Sequence, residues 1–491
     1  MSAPAPLINA SGPRPIECSS LVDGQRLGQG AVTERRNPSD TREAVSLAHH
    51  AVPADIARAV EAARAAFPRW SRLSPQARAD MLDRIGTLIA DCRDEMAQLL
   101  SREEGKTIPE ARAEVAKAGQ VFKFYAGEAV RLSGRHGRSL RENIDIDVIN
   151  EPVGVAALIT PWNFPIVIPA WKLAPALAYG NCAILKPSEL TSGCAQLLSE
   201  IIGAAGLPAG VFQMLLGGGD IGAALVANPG VDLVSFTGSS ATGRRIKQSA
   251  SGGNAQVQLE LGGKNPLIVL ADAPMDNALD AAIKGAFYST GQRCTASSRI
   301  IIEDGAYDGF VDALITRIRG LKVGHALDPN TQIGPLVSEQ QLERVESSLE
   351  QAVSDGALLK LKGERLSGPT PGHYYTPALF ADDDASSFVN QHEIFGPVAS
   401  VIRASSLDHA IAIANDTAYG LSAGLFTASH AAIREFRQRS TAGMLMINLQ
   451  TVGTDYHVPF GGNGSSGFGV REMGSEVSRF FTRSRTVYSA G

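Results

Sequence analysis

The sequence predicts an α/β protein of more than one domain, and three observations predict it. Strand-length apolar runs alternate with helical segments from Val153 to Glu260, and again from Leu267 to about Gly462. Two segments of period-two alternation, around 144–148 and at the C-terminus, stand outside that pattern. The 491 residues exceed what one core fills, since single cores stop growing at roughly 250–300 residues.

Residues 53–132 read as helices. Ile56, Val60, Ala63 and Phe67 recur at helical spacing, and Ser74-Pro75 forms an N-cap followed by proline at the first helical position. Leu82, Ile85, Leu88, Ile89, Cys92, Met96 and Leu99 then make one apolar stripe, which assigns Cys92 to packing as a small hydrophobe. Farther on, Ile144, Ile146 and Val148 alternate with Asp145 and Asp147, the pattern of a strand with one wet face. Phe480, Phe481 and Thr482 to Tyr488 repeat it at the C-terminus. Such strands leave exposed edges, so they are expected to pair with each other or with another subunit, and a homo-oligomer is expected.

Between those segments strands are expected at Val153–Thr160, Cys182–Leu185, Val211–Leu215 and Leu233–Phe236. Helices are expected at Trp171–Tyr179, Ala195–Ala205 and Ile221–Ala227. Short links between alternating strands and helices mark a parallel sheet covered on both faces, with ligands at the carboxyl ends of its strands. A second α/β unit follows, with strands at Leu267–Leu270 and Arg299–Ile302 and helices running to Phe287 and Ile318.

The bulk numbers exclude several classes. Forty-five Lys and Arg against 50 Asp and Glu leave a net charge of −5 without a basic block, which argues against nucleic acid as a partner. No apolar run approaches the ~20 residues of a membrane span. The start, MSAPAPLINASGPRP, has no basic segment before an apolar one and reads as a frayed arm rather than a signal peptide. Cys18, Cys92, Cys182, Cys194 and Cys294 are odd in number and scattered. That suits a reducing cytoplasm and argues against a disulfide framework and a metal site.

Two glycine turns compete for a phosphate ligand. Gly217 to Gly222 fits G-x-G-x-x-G between strand and helix, but Asp220 would repel an anion at the helix start. Phe236-Thr237-Gly238-Ser239 through Arg245 also joins strand to helix, with two glycines, hydroxyls, two arginines and no acid. The second is the better cradle. Lys186-Pro187-Ser188-Glu189 ends a strand, where Lys186 and Glu189 can reach ribose hydroxyls. The chemistry of greatest interest lies at Gly291-Gln292-Arg293-Cys294-Thr295, with Glu260-Leu261-Gly262-Gly263 upstream. A thiolate and a carboxylate sharing a cleft can do covalent catalysis followed by hydrolysis. The ordinary reading of these residue types is a buried, inert cysteine and a surface glutamate.

Six runs taken in order change that balance: Thr160-Pro161-Trp162-Asn163-Phe164-Pro165, Lys186-Pro187-Ser188-Glu189, Phe236-Thr237-Gly238-Ser239, Glu260 to Pro266, Gly291 to Cys294, and Glu393-Ile394-Phe395-Gly396-Pro397. Their order and spacing resemble the NAD(P)-dependent aldehyde dehydrogenase superfamily over nearly the whole chain. The resemblance implies that Cys294 is the nucleophile, that Asn163 with the Cys294 N–H forms the oxyanion hole, and that Glu260 is the general base. It implies that NAD contacts Thr160, Trp162, Lys186, Ser188, Glu189, Gly219, Phe236, Gly238, Ser239, Leu261, Glu393 and Phe395. It also implies a cofactor domain of 1–132 plus 153–262, a catalytic domain of 263–473 (both Rossmann-type), and a bridging arm of 133–152 plus 474–491 that builds a homodimer or homotetramer.

Within that superfamily the runs Tyr288 to Arg299, Asp455 to Gly462 and Ile168 to Asn181 resemble the 2-oxoglutarate (α-ketoglutaric) semialdehyde dehydrogenases. Arg293 would then either pair with a substrate carboxylate in fork geometry or turn away and anchor its loop. Trp171 and Phe460 are the other candidate substrate contacts. Gln450 and Asn463 depart from the subgroup and leave room for succinate semialdehyde or an aromatic aldehyde. Glu189 favours NAD over NADP, against which Arg244 and Arg245 would act. A CoA-acylating enzyme needs no hydrolytic base, and a non-catalytic scaffold need not keep Cys294, Asn163 and Glu260.

Overall fold

The computed structural model describes residues 14–250, 252–381 and 384–491. The expectation for the N-terminal arm falls on residues 1–15, of which 1–13 lie outside the described residues. The first sheet has ten strands, and its centre is a parallel block of five. These are Val155–Ile159, Cys182–Lys186, Phe212–Met214, Leu233–Thr237 and Gln256–Glu260. Across the sheet the third, second, first, fourth and fifth of them lie in that order. The direction of winding therefore reverses between Val155–Ile159 and Leu233–Thr237, and a crevice opens at such a switch point. The first three expected strands and all three helices occur within a few residues of their expected bounds; the fourth gains Thr237.

The sheet is not purely parallel, which corrects the expectation. Ile16–Val22 joins Phe212–Met214 antiparallel, Asp40–His49 and Val32–Asn37 extend that edge, and Gln25–Leu27 pairs with Ile16–Val22. At the opposite edge Gly467–Phe468 pairs antiparallel with Leu259 and Glu260. The segment 263–473 thus returns to the first sheet before it ends. Its own sheet has seven strands, from Leu358–Leu361 at one edge to Met444–Ile447 at the other, with Asn265–Val269 near the middle. Glu260 ends the last parallel strand of one sheet and Asn265 opens a central strand of the other. The chemistry-bearing residues lie at this seam.

The helical region contains Pro53–Ser71, Pro75–Asp91, Arg93–Glu104 and Ile108–Arg131. Ser74 caps its helix as expected, its hydroxyl accepting from the Ala77 N–H at 3.2 Å. The single stripe through Cys92 is corrected: the helix stops there at φ −92°, ψ 12°, and Met96 and Leu99 belong to the next one. The apolar spacing survives the break because both helices bury the same side against Ile108–Arg131. Thr482–Ala490 pairs antiparallel with Ile144–Pro152, which also pairs with Arg135–Arg138. The two outlying strands therefore find each other. Phe480 and Phe481, expected in that strand, form a helical turn before it and are buried.

Candidate active site

Cys294 sits at the end of a strained turn. Ser289, Thr290 and Gly291 hold φ values of 51°, 57° and 67° in succession. For the two non-glycine residues this conformation costs about 1–2 kcal/mol each, and it persists only where the surroundings enforce it. At Gly291 no side chain fits, because a Cβ would lie 1.9 Å from the Gly396 carbonyl. Past the turn, the Asn265 carboxamide donates to the carbonyls of Cys294 at 2.8 Å and Ala296 at 2.9 Å. The backbone at the thiol and just after it is thereby anchored to the second sheet.

The Cys294 side chain is half-buried and lines a cleft of about 750 Å³ together with Asn163, Trp162, Ile168, Thr237, Gly238, Leu261, Glu393 and Phe395. An adjoining space of about 580 Å³ shares Pro161, Trp162, Thr237, Gly238 and Ser239 with it. The two make one continuous crevice along the switch point. Asn163 is buried, and its Nδ2 donates to the Gln292 carbonyl at 3.0 Å, in the same turn that carries Cys294. Trp162 and Phe395 form an edge-to-face pair, ring centroids 5.4 Å apart, with Phe395 at φ 59°.

Burial pushes the Cys294 thiol up to about 12, with the charges of Glu393 and then Glu260 adding to it and the N–H groups of Cys294 and Thr295 opposing. Burial also raises Glu260 well above the ordinary carboxylate range, and the neighbouring Glu472 raises it further against Lys172 and Arg471. Its Oε2 is buried without a hydrogen-bond partner. Glu393 is pushed to about 7 by burial, against the Gly263 N–H and Lys264. Only the thiolate reacts, so the reactivity of Cys294 in this resting arrangement rises with pH. Alkylation of Cys294 by iodoacetamide without cofactor is expected to climb about tenfold per pH unit past the ordinary thiol value. A plateau near that value contradicts the assigned environment.

The second space has the features a dinucleotide needs. The Thr160 and Thr237 hydroxyls, on either side of the switch point, are buried without partners. Gly238 and Ser239 precede the helix Ser240–Ala250, whose N-terminus favours an anion. A Cβ on Gly238 would lie 2.5 Å from the Phe236 ring, so only glycine allows this close approach. Gly219 and Gly222, from the competing turn, line the same space, as do Ser188, Glu189 and Arg245. Lys186 is buried there with Nζ 3.5 Å from Glu189 Oε2. Both glycine turns thus open on one cleft.

Residues 27–487 match the model of the aldehyde dehydrogenase family. The chain belongs to the aldehyde dehydrogenase family. It is 41% identical to an alpha-ketoglutarate semialdehyde dehydrogenase of Haloferax volcanii over 94% of this chain and 96% of that protein. It is 38% identical to an alpha-ketoglutaric semialdehyde dehydrogenase of Bacillus subtilis, over 96% and 97%. Among solved structures, betaine aldehyde dehydrogenase from Staphylococcus aureus in complex with NAD+ superposes with a TM-score of 0.94 at 31% identity, covering 97% of this chain and 95% of that one.

In this aldehyde dehydrogenase Arg293 does not line the cleft with Cys294; its Nη2 pairs with Glu110 at 2.8 Å and donates to the Ser289 hydroxyl at 2.8 Å. Trp171 and Phe460 are both buried and pack with tilted rings, centroids 5.4 Å apart, with the Trp171 indole N–H lacking a partner. Asn463 bridges Thr441 and Arg471, while Gln450 keeps a buried, unpartnered amide oxygen. Sequence reasoning missed Gln341 and Arg344 of the helix Glu339–Ser354, which line the cleft opposite Trp162 and Gly238. Gln341 donates to the Phe395 carbonyl at 2.9 Å. Polar residues on an amphipathic helix read as a solvated face, so no local signal marks them.

Proposed function

We propose that the chain oxidises an aldehyde to a carboxylic acid with NAD, and that 2-oxoglutarate semialdehyde is the substrate. The observation that carries the reading is the cleft itself, which places Cys294 and Asn163 at one end and a phosphate-ready helix start at the other. The Cys294 thiol loses its proton to water in the cleft, and the thiolate sulfur attacks the aldehyde carbon. Asn163, with the Cys294 N–H, stabilises the oxygen as charge develops, a contribution of about 3 kcal/mol per aimed donor. NAD, held with its nicotinamide side at Glu393 and Phe395, would supply the acceptor for the hydride, which leaves a thioester on Cys294. Glu260 then takes a proton from water, whose oxygen attacks the resulting thioester and releases the acid. Lys186 and Glu189 hold the adenosine ribose, Gly238 and Ser239 the pyrophosphate, and Glu393 with Phe395 the nicotinamide side.

Glu189 sets the preference for NAD, because its charge opposes a 2′-phosphate. Of the two arginines, Arg245 lines the cleft and is the cation that lets NADP serve as the slower cofactor. The choice of an acidic semialdehyde rests on the two semialdehyde relatives, not on Arg293, whose guanidinium Glu110 already engages. We assign 1–132 plus 153–262 to cofactor binding, 263–473 to catalysis, and 133–152 plus 474–491 to the oligomer contact, where Ile149, Val487 and Tyr488 are exposed.

A kcat/KM panel tests the reading. Two-oxoglutarate semialdehyde is expected to lead succinate semialdehyde, betaine aldehyde, benzaldehyde and propanal, with NAD ahead of NADP and no need for CoA. A lead for betaine aldehyde would remove the substrate but keep the reaction; a requirement for CoA would remove hydrolysis by Glu260.

A further inference from the structure

No residue of the helix Ile108–Arg131 lines either part of the cleft, yet its first two turns hold both of the loops that do. Glu110 Oε1 accepts from the Ser289 N–H at 2.9 Å, the Ser289 hydroxyl at 3.0 Å and Arg293 Nη2 at 2.8 Å. Its Oε2 accepts from the Thr107 hydroxyl at 2.8 Å. Four residues on, Glu114 Oε1 accepts from the N–H groups of Ile166 at 3.0 Å and Val167 at 3.2 Å. Its Oε2 pairs with Lys106 Nζ at 2.5 Å, and both side chains are 1% exposed. Lys106 Nζ in turn donates to the Asn163 carbonyl at 2.7 Å and lies 3.9 Å over the Phe164 ring.

Residues four apart share one face of a helix. One carboxylate thus grips the left-handed turn that delivers Cys294, and the other grips the loop that delivers Asn163. The turn needs a grip, because Ser289 and Thr290 leave their strained φ values unless something enforces them. The two loops also touch through the Asn163–Gln292 hydrogen bond, so the helix closes a ring of contacts around the reacting position.

We propose that Glu110 and Glu114 are positioning residues that set the Cys294 thiol and the Asn163 carboxamide in register for attack on the aldehyde. The proposal rests on the reading of Cys294 and Asn163 as nucleophile and oxyanion donor. Neither glutamate touches the substrate; each acts through a loop it holds. A displacement of about 1 Å at the reacting atoms is enough to cost about 10²-fold in rate.

The test uses the full chain with NAD and aldehyde, reading the pre-steady-state burst of NADH, the NAD dissociation constant and the aldehyde KM. Glu110→Ala is expected to slow the burst by about 10²-fold with NAD affinity and KM little changed. Glu110→Gln keeps an acceptor for the Ser289 N–H and hydroxyl and recovers most of that loss. Glu114→Gln, which leaves Lys106 buried without its counter-charge, is expected to slow the burst without weakening NAD. A burst at the parent rate in Glu110→Ala, or a Gln variant no better than the Ala variant, overturns the proposal. Should Glu110→Ala not fold, Glu114→Gln decides, and a burst at the parent rate there overturns it. Cys294→Ala run in parallel separates the two claims: turnover there removes the nucleophile reading, whereas a silent Cys294→Ala beside a full-speed Glu110→Ala removes the positioning role alone.

Discussion

Cys294→Ala is expected to abolish aldehyde oxidation, lowering kcat by at least about 10⁴-fold, while NAD still binds. No other thiol can take its place. Cys18, Cys182 and Cys194 are buried, and none of them lines either part of the cleft. Cys92 lies at the junction of two helices, outside the cleft. The substitution removes one sulfur from a half-buried position and leaves the Asn265 anchors on the backbone intact, so the fold is retained. Fluorescence titration with NAD alongside a turnover assay reads both halves. Oxidation at even a hundredth of the parent rate (about 2.7 kcal/mol of the barrier) is too much for the covalent route.

Glu260→Gln is expected to leave one turnover and stop the rest. The burst of NADH approaches about one equivalent per site, and steady turnover falls by about 10²–10⁴-fold, the range for losing a positioned general base. Glutamine suits the space, because Gly461 sits so close to Glu260 Oε1 that a Cβ there would lie 2.4 Å away, leaving no room for a larger group. The pH profile adds a second reading. Burial and Glu472 hold the Glu260 carboxyl up, so its base form grows as pH rises, and steady turnover of the parent grows with it. In the Gln variant that rise in the hydrolytic step disappears. Steady turnover equal to the parent, with the same pH profile, contradicts the assignment of Glu260.

Much of the fold was legible because buried parallel strands leave a plain mark. Val155–Ile159, Cys182–Lys186 and Leu233–Thr237 are fully buried along their length, so each reads as a short apolar run between helices. Val32–Asn37 was not legible: its sequence, VTERRN, is mostly exposed and mixes charges on both faces. It is a strand because Asp40–His49 offers it a hydrogen-bonding edge. The break at Cys92 was hidden for the opposite reason, since the apolar spacing continues through it while the backbone does not.

The candidate site divides along the same line. Cys294, Asn163 and Glu260 became candidates through the family resemblance of the runs that hold them, since their residue types alone read as a buried cysteine and polar surface groups. Arg293 shows the limit. Its side chain could be read as facing a substrate or an anchor, and only the placement of Glu110, 183 residues away, shows the partner it has.

Through family resemblance the sequence named the candidate residues of the site, and by itself it determined which buried segments become strands and helices. Such segments depend on composition and spacing within a few residues, where propensity and burial act. Tertiary structure alone decided which of two glycine turns opens on the cleft (both do), where Arg293 points, and that one helix face grips the loops of both Cys294 and Asn163. Those outcomes depend on hydrogen bonds and charge pairs between segments far apart in the chain, and no local pattern encodes such a distance.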